Sequence, residues 1–312
     1  MKRIFSFTLT LSVESPVSFQ SFSGFASSGL FYNIVASADA VFAEELHQSK
    51  KIAPWAATPI TPTLNPRNVI YKKLEADSAF NVTFTVMDER LAEKFRDALF
   101  NPNLKLHLST VEARLLNISI KTHSFSEIAS KAEPLPSKFA LEFITPTAFR
   151  RPVYECCPTC PLYKKHLDSN QKGEGKPCKH ATPRGGQLVP LPLPSLMFKN
   201  LARIWSSFSD TPIDAWEAAK WSEDAILVAG FPKGLRTVRL YEHTTTNKWI
   251  VGFTGTVRFA IEREKYNKEL AKTAHALLKM AELTNVGVRR TAGLGMVRYI
   301  PPEDTAEEDG TA

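Results

Sequence analysis

The segment Asn285 to Tyr299, NVGVRRTAGLGMVRY, combines glycines and arginines in a pattern suited to binding phosphate. Glycine lets a backbone approach a ligand closely, and guanidinium groups match phosphate oxygens. The segment lacks the G-x-G-x-x-G of dinucleotide sites and the G-K-S/T of phosphate-binding loops, and it leads into a strand rather than a helix. Two interpretations remain: contact with a nucleic-acid backbone, or a hairpin turn with solvated arginines. The candidate residues are Gly287, Arg289, Arg290, Gly293, Gly295 and Arg298.

A second cluster of residues that could bind a metal or react contains all four cysteines, between residues 156 and 178. Cys157 and Cys160 form a C-x2-C pair, and Cys178 with His180 forms a C-x-H pair after a gap of 17 residues. This spacing is close to that of two short knuckles that share a tetrahedral zinc ion. Four protein ligands leave no open position for water, so such a zinc would be structural. An iron–sulfur cluster and free thiols in a loop are the alternatives.

Composition and charge argue against a membrane-spanning protein and favour a negatively charged partner. The 312 residues are 43% apolar and carry a formal charge of +7, although the last ten residues contain five carboxylates and no lysine or arginine. No apolar run approaches the roughly 20 residues that span a bilayer. An excess of positive charge favours a polyanionic partner, most commonly nucleic acid. We therefore expect no membrane association, and an acidic, disordered tail over 303–312.

The elements that must position these residues begin with a strand. From Arg3 to Val13, apolar and hydroxyl side chains alternate, which is the pattern of a half-buried strand and not of a secretion signal. The sequence thus predicts a cytoplasmic protein. Helix-favouring residues 24–48 follow, interrupted at Ala36 to Asp39, where Ser37 or Asp39 could cap a second helix. Residues 69–87 contain two strand-rich pieces, 88–99 form a helical pattern, and 105–125 are again strand-rich. Together with the first strand and helix, they give the order β-α-β-β-α-β.

The same order repeats after a proline-spaced linker at 132–137. The predicted elements are strand 138–145, helix 194–209, strands 225–243 and 248–262, helix 265–283 and strand 286–299. We therefore expect an α+β protein with two tandem ferredoxin-like (RRM-like) domains. The first spans 1–131, and the second spans 138–302 and includes a Cys-rich insertion at 153–185 and a Gly-rich loop at 285–298.

With this order, several segments resemble the sixth Cas family, the CRISPR-associated endoribonucleases that cut repeat RNA. The family's loop has a G-x-G pair followed by a second G-x-G pair. Here the second pair, Gly293-Leu294-Gly295, is intact, whereas Asn285 replaces one glycine of the first. The other similar segments are GLFYNI, the Leu46-His47 pair, FITPTAF at 143–149, PLPSLMFKNLARIW at 192–205 and WIVGFTGTVRF at 249–259.

The resemblance implies RNA cleavage without a catalytic cofactor, in which a ribose 2'-OH attacks the adjacent phosphate. The products would carry 2',3'-cyclic phosphate and 5'-OH ends, and the partner would be CRISPR repeat RNA, with effector subunits as further partners. Many family members use a tyrosine, a histidine and a lysine for proton transfer and charge stabilisation. The matching positions are Tyr32, His47 and Lys51, with Lys50 as a second candidate for the lysine or an RNA contact.

Geometry sets a condition on this assignment. In one straight helix, Tyr32 and His47 would lie roughly 22 Å apart at 1.5 Å per residue, too far to share a phosphate. The break at Ala36 to Asp39 must therefore fold the chain back. From the residues alone, His47 could instead be a solvated or C-capping histidine, Tyr32 a packing residue, and the lysine pair a phosphate contact.

Two other functions fit the sequence. A non-catalytic RNA-binding subunit of a CRISPR effector could use the same double fold, and a zinc-dependent nucleic-acid enzyme could use the cysteine cluster at its centre. Tryptophans could stack on RNA bases, although packing is their more common role; these are Trp205, Trp216, Trp221 and Trp249.

Overall fold

The computed structural model describes residues 2–65, 68–155, 182–241 and 249–302. Its first unit contains the elements β1 (Arg3–Val13), β2 (Val17–Ser18), α1 (Gly24–Ala38), α2 (Ala40–Gln48), β3 (Trp55–Ala57), β4 (Thr61–Pro62), β5 (Lys73–Leu74), β6 (Ala79–Val86), α3 (Glu89–Leu99), β7 (Leu106–Leu108), β8 (Val111–Ser124) and α4 (Phe125–Lys131). The main sheet is antiparallel, with the order β3-β6-β1-β8-β7 and β4 also on β6. The strands β2 and β5 form a separate pair.

The strand β1 lies at the centre of its sheet, between β6 and β8, and its alternating residues give it one apolar face and one hydroxyl face. Phe7, Leu9 and Leu11 are buried in the core of the first unit. On the other face, hydroxyl side chains pair across to β6, with Thr8 Oγ1 at 2.9 Å from Thr83 Oγ1. One face of the strand thus packs in the apolar core, and the other forms side-chain hydrogen bonds with β6.

The second unit repeats the arrangement. Its elements are β9 (Lys138–Thr147), β10 (Phe149–Glu155), β11 (Thr182–Val189), α5 (Pro194–Phe208), α6 (Ala215–Ala225), β12 (Ile226–Gly230), β13 (Arg236–Tyr241), β14 (Trp249–Ile261), a 3-10 turn (Arg263–Lys265), α7 (Lys268–Thr284), a 3-10 turn (Arg290–Ala292) and β15 (Val297–Ile300). The antiparallel order is β12-β14-β9-β15, with β13 also on β14, and β10 pairs with β11. The prediction of two tandem ferredoxin-like units is confirmed.

The structure differs from the predicted elements in three places. The second strand of the first sheet comes from β3 and β4, whereas 69–76 lies outside this sheet and contributes only β5, which pairs with β2. An unpredicted helix, α6, begins where the Asp214 side chain accepts hydrogen bonds from the amides of Trp216 and Glu217. The predicted strand 286–299 is regular only from Val297, because glycines with positive φ turn the chain before it.

The two units pack tightly on each other. Ile4, Met87 and Phe125 of the first unit lie in one buried cluster with residues of the second. The Phe125 ring meets the fully buried Trp205 edge to face, with centroids 5.1 Å apart. This shared core fixes the cleft between the units. Among the described helices, none is long and apolar enough to span a membrane.

Candidate active site

The predicted break after α1 is present, and Asp39 causes it. Asp39 has an extended backbone, with φ −157° and ψ 96°, and its carboxylate accepts a hydrogen bond of 2.9 Å from the Phe42 amide at the start of α2. The Lys94 ammonium lies 2.7 Å from the same carboxylate. Hydrogen bonding to Lys94 and then to the Phe42 amide lowers the pKa of Asp39. The cap therefore remains charged at neutral pH and starts the second helix in a new direction.

This turn brings Tyr32 and His47 together. Their ring centroids are 5.0 Å apart, with the planes nearly perpendicular. His47 is exposed, whereas Tyr32 is half-buried beside Trp55, 5.5 Å away between ring centroids. Burial raises the pKa of the Tyr32 hydroxyl, and a hydrogen bond with Trp55 offsets part of the rise. Tyr32 is therefore a hydrogen-bond donor at neutral pH, and His47 is the group accessible for proton transfer.

Lys51 lies on a cleft between the two units. The cleft has a volume of about 530 Å³, and both Lys51 and the Gly-rich loop residues Gly287 and Arg289 line it. Lys50 is exposed but does not line it. Because four residues of extended chain span at most about 14 Å, His47 lies within that distance of Lys51. His47 therefore lies near the part of the cleft that Lys51 lines.

Backbone hydrogen bonds hold the Gly-rich loop in place. The Gly287 amide donates to Asn200 Oδ1 of α5 at 2.8 Å, and the Val288 amide donates to the Ala148 carbonyl at 2.9 Å. Across the loop, the Val286 amide donates to the Gly295 carbonyl at 2.9 Å. The loop is therefore a closed, anchored turn between α7 and β15.

The loop also joins the two units. Asn285 is buried with φ 59°, and its side-chain amide donates to the Ala57 carbonyl of β3 at 2.8 Å. Asn285 stands where the resembling family has glycine, and its backbone, with φ 59° and ψ 171°, is one that favours glycine. A Cβ atom at Gly24, the first residue of α1, would overlap the Ala292 carbonyl oxygen. This close approach places the start of the Tyr32 helix directly against the loop.

The three arginines of the loop occupy different environments. Arg289 is exposed and lines the cleft. Arg290 is buried and donates to the carbonyls of Thr284 and Ala53 at 2.9 and 3.0 Å, and burial lowers its pKa to about 10. Arg298 forms an ion pair with Glu142 on the neighbouring strand, at 2.9 Å. Arg290 also lines the cleft, but its guanidinium is buried and braces the loop. Of the three arginines predicted to bind RNA, Arg289 is the exposed one on the cleft, and its placement favours that role.

The cleft contains two arginines that the sequence analysis did not name and one of the four tryptophans that it considered for base stacking. Arg150 of β10, Arg203 of α5 and Trp249 of β14 line its second-unit side. Arg203 and Trp249 lie in two of the segments that resemble the family, which was the available signal. Their convergence depends on the packing of three distant segments, so no local pattern in the sequence reveals it.

The predicted zinc ligands Cys157, Cys160, Cys178 and His180 lie outside the described residues, so the zinc stays a prediction. Within the described ranges, no group of three or more His, Cys, Asp or Glu side chains is arranged to hold a metal ion.

Two ferredoxin-like units, with a Gly-rich loop and a basic cleft at their junction, form a surface suited to a polyanionic ligand. Residues 141–297, half of the chain, match the family model described as CRISPR-associated endoribonuclease Cas6. The protein belongs to this family of endoribonucleases. A search of curated protein sequences gave no match.

Solved structures of similar fold include Thermus thermophilus Cas6 (TTHB231), which is 19% identical with a TM-score of 0.63; the match covers 96% of this chain and 99% of that one. A product complex of Cas6 (TTHB231) is 21% identical with a TM-score of 0.68, and the match covers 95% and 99% of the two chains. A product complex of Cas6 (TTHA0078) is 17% identical with a TM-score of 0.63, with the same coverage. These likenesses support the fold.

Proposed function

We propose that the protein cuts CRISPR repeat RNA once per repeat to produce guide RNAs, without a catalytic metal. The observation that carries this proposal is the fold-back of α2, which places His47 against Tyr32 within reach of the basic cleft at Lys51. Family membership supplies the reaction class. The description of the family as endoribonucleases supports RNA as the substrate, and two of the similar structures are described as product complexes.

The proposed reaction is a transesterification within the RNA strand. The ribose 2'-oxygen loses its proton and forms a bond to the adjacent phosphorus, and the bond from phosphorus to the 5'-oxygen breaks. The 5'-oxygen then takes up a proton. The products carry a 2',3'-cyclic phosphate and a 5'-OH, so the chemistry needs proton transfers at two oxygens and stabilisation of charge on the phosphorane.

The environment of each candidate residue indicates which part of the reaction it performs. Histidine exchanges protons near neutral pH, so we assign proton transfer to the exposed His47. Tyr32, whose pKa burial raises, orients the reacting group as a hydrogen-bond donor. The Lys51 ammonium stabilises the negative charge that develops on the phosphate.

The Gly-rich loop and Arg289 hold the RNA backbone beside these groups. Their position at the mouth of the cleft, with Lys51, supports a contact to phosphates on one side of the cut. Association with effector subunits, a cytoplasmic location and a structural zinc stay predictions.

A repeat RNA with a single 2'-deoxy sugar at the cut site tests the reaction. We expect this RNA to bind with a dissociation constant within about threefold of the unmodified RNA and to resist cleavage completely, because the attacking oxygen is missing. Gel analysis of end-labelled RNA and an affinity measurement provide both readouts. Cleavage of the 2'-deoxy RNA would overturn the mechanism. Tight binding with no cleavage of either RNA would favour the non-catalytic subunit.

A further inference from the structure

The second-unit wall of the cleft carries side chains that the proposed chemistry does not use. Arg150 and Arg203 are exposed on this wall, and half of the Trp249 side chain is exposed beside them. By contrast, Trp55 and Trp205 are almost completely buried. Trp249 is therefore not needed to fill a core, and it borders a cleft that can admit a ligand.

The charge of the cleft defines the class of ligand. Its lining includes Lys51, Arg150, Arg203 and Arg289, and within the described part of the chain no carboxylate lines it. Cations from both units thus face one volume of about 530 Å³. Such a groove attracts a polyanion, and an aromatic ring at its edge adds a surface for a planar base.

The wall is held in a fixed position. Trp249 pairs with Tyr241 across β14 and β13, and the Arg239 guanidinium lies 4.6 Å from the centroid of the Trp249 ring. Ser21 of the first unit binds the backbone of Tyr241 on β13. Its hydroxyl donates to the Tyr241 carbonyl at 2.8 Å and accepts from the Tyr241 amide at 3.0 Å. The β13–β14 edge that carries the ring is therefore held to the first unit, and Arg239 packs on the ring, before any ligand binds, which lowers the entropic cost of binding.

We propose that this wall binds the single-stranded RNA next to the cut, with one base stacked on Trp249 and neighbouring phosphates on Arg150 and Arg203. This inference rests on the proposed function for its substrate and adds the residues that hold the flanking nucleotides. Stacking on an aromatic ring tolerates every base, because each base has a π face. The site therefore contributes affinity and position, and little base selectivity.

The first experiment measures the affinity of the His47→Ala protein for a fluorescently labelled repeat RNA by anisotropy. We expect Trp249→Leu to weaken binding about tenfold and Trp249→Phe to restore binding to within about threefold, as stacking requires. Trp216→Leu is the matched control. Trp216 is 42% exposed on α6, with the Lys199 ammonium 5.3 Å from its ring centroid, and it lies outside the cleft.

The same measurement distinguishes failure of the stacking site from failure of the proposed reaction. Equal affinities of Trp249→Leu and Trp216→Leu proteins would overturn the stacking site while leaving the proposed reaction intact. Cleavage by the wild-type protein is assayed in parallel. An absence of cleavage together with the tenfold effect of Trp249→Leu would overturn the proposed reaction and retain the RNA site.

Abasic RNAs identify the stacked base and guard against an indirect effect of the substitution. We expect one abasic position near the cut at which Trp249→Leu no longer weakens binding, because the base that stacks is already absent. If Trp249→Leu weakens binding equally for an abasic nucleotide at every position, the residue acts through the fold and the inference fails.

Salt dependence tests the two arginines. Replacing Arg150 and Arg203 with glutamine should reduce the slope of log affinity against log salt by about 1.4, since each neutralised phosphate of a single strand contributes about 0.7. Arg96→Gln, at an exposed position of α3 outside the cleft, should leave the slope unchanged. An equal slope in the wild-type and double-variant proteins would remove the arginines from the site.

Discussion

Replacement of His47 with alanine is expected to reduce the rate constant for repeat-RNA cleavage by at least about 100-fold, the usual effect of removing a group that transfers protons. His47 is exposed at the end of α2, so its removal leaves the core unchanged. Affinity for the RNA should stay within about threefold of wild type, because the basic cleft is intact. Single-turnover kinetics with excess protein separate the cleavage step from binding.

His107→Ala provides a control, because His107 is an exposed histidine on β7 outside the cleft. We expect this variant to cleave at the wild-type rate. Equal cleavage by His47→Ala and wild-type proteins would show that another residue transfers the proton. The contact between His47 and Tyr32 would then be packing alone.

Replacement of Gly295 with alanine is expected to destabilise the protein by about 3 kcal/mol and to abolish RNA binding at the cleft. Gly295 has φ 77°, and a Cβ atom there would overlap the carbonyl oxygen of Val286. A left-handed backbone costs a residue with a side chain about 1–2 kcal/mol, and displacement of the carbonyl adds to this. Denaturant unfolding measures the loss, and anisotropy with labelled RNA measures the binding.

Gly230→Ala is the matched substitution for this prediction. Gly230 lies at the end of β12, where no atom lies within 4 Å of a Cβ position. We expect a change in unfolding free energy of less than about 1 kcal/mol. If Gly295→Ala were equally harmless, the Gly-rich loop would have more freedom than its hydrogen bonds indicate, and its role as a rigid RNA contact would fail.

The sequence predicted the parts of the site that depend on local patterns. The alternation from Arg3 to Val13 predicted a half-buried strand, and the two faces of β1 do meet different environments. The polar interruption after α1 marked the break, and the Asp39 cap is a local interaction that involves the next three residues. From these features and the resemblance, the closeness of Tyr32 and His47 could be anticipated.

Other parts depend on contacts between distant segments. Arg290 is buried because its guanidinium donates to the carbonyls of Ala53 and Thr284. The spacing of arginines in the loop does not reveal that these carbonyls lie beside it. The helix α6 was missed although Asp214 caps it, since residues 210–224, between the predicted helix 194–209 and the predicted strand 225–243, were assigned to no element. Likewise, Trp249 looks like any other tryptophan until the packing of β14 leaves it at the edge of the cleft.

The most direct test of the account is incubation of the purified protein with its repeat RNA in excess EDTA, followed by analysis of the product ends. Metal-independent attack by the 2'-OH predicts cleavage at one position, with a 2',3'-cyclic phosphate on one fragment and a 5'-OH on the other. Cleavage that stops in EDTA and returns with added divalent metal, or fragments with 3'-OH and 5'-phosphate ends, would contradict it.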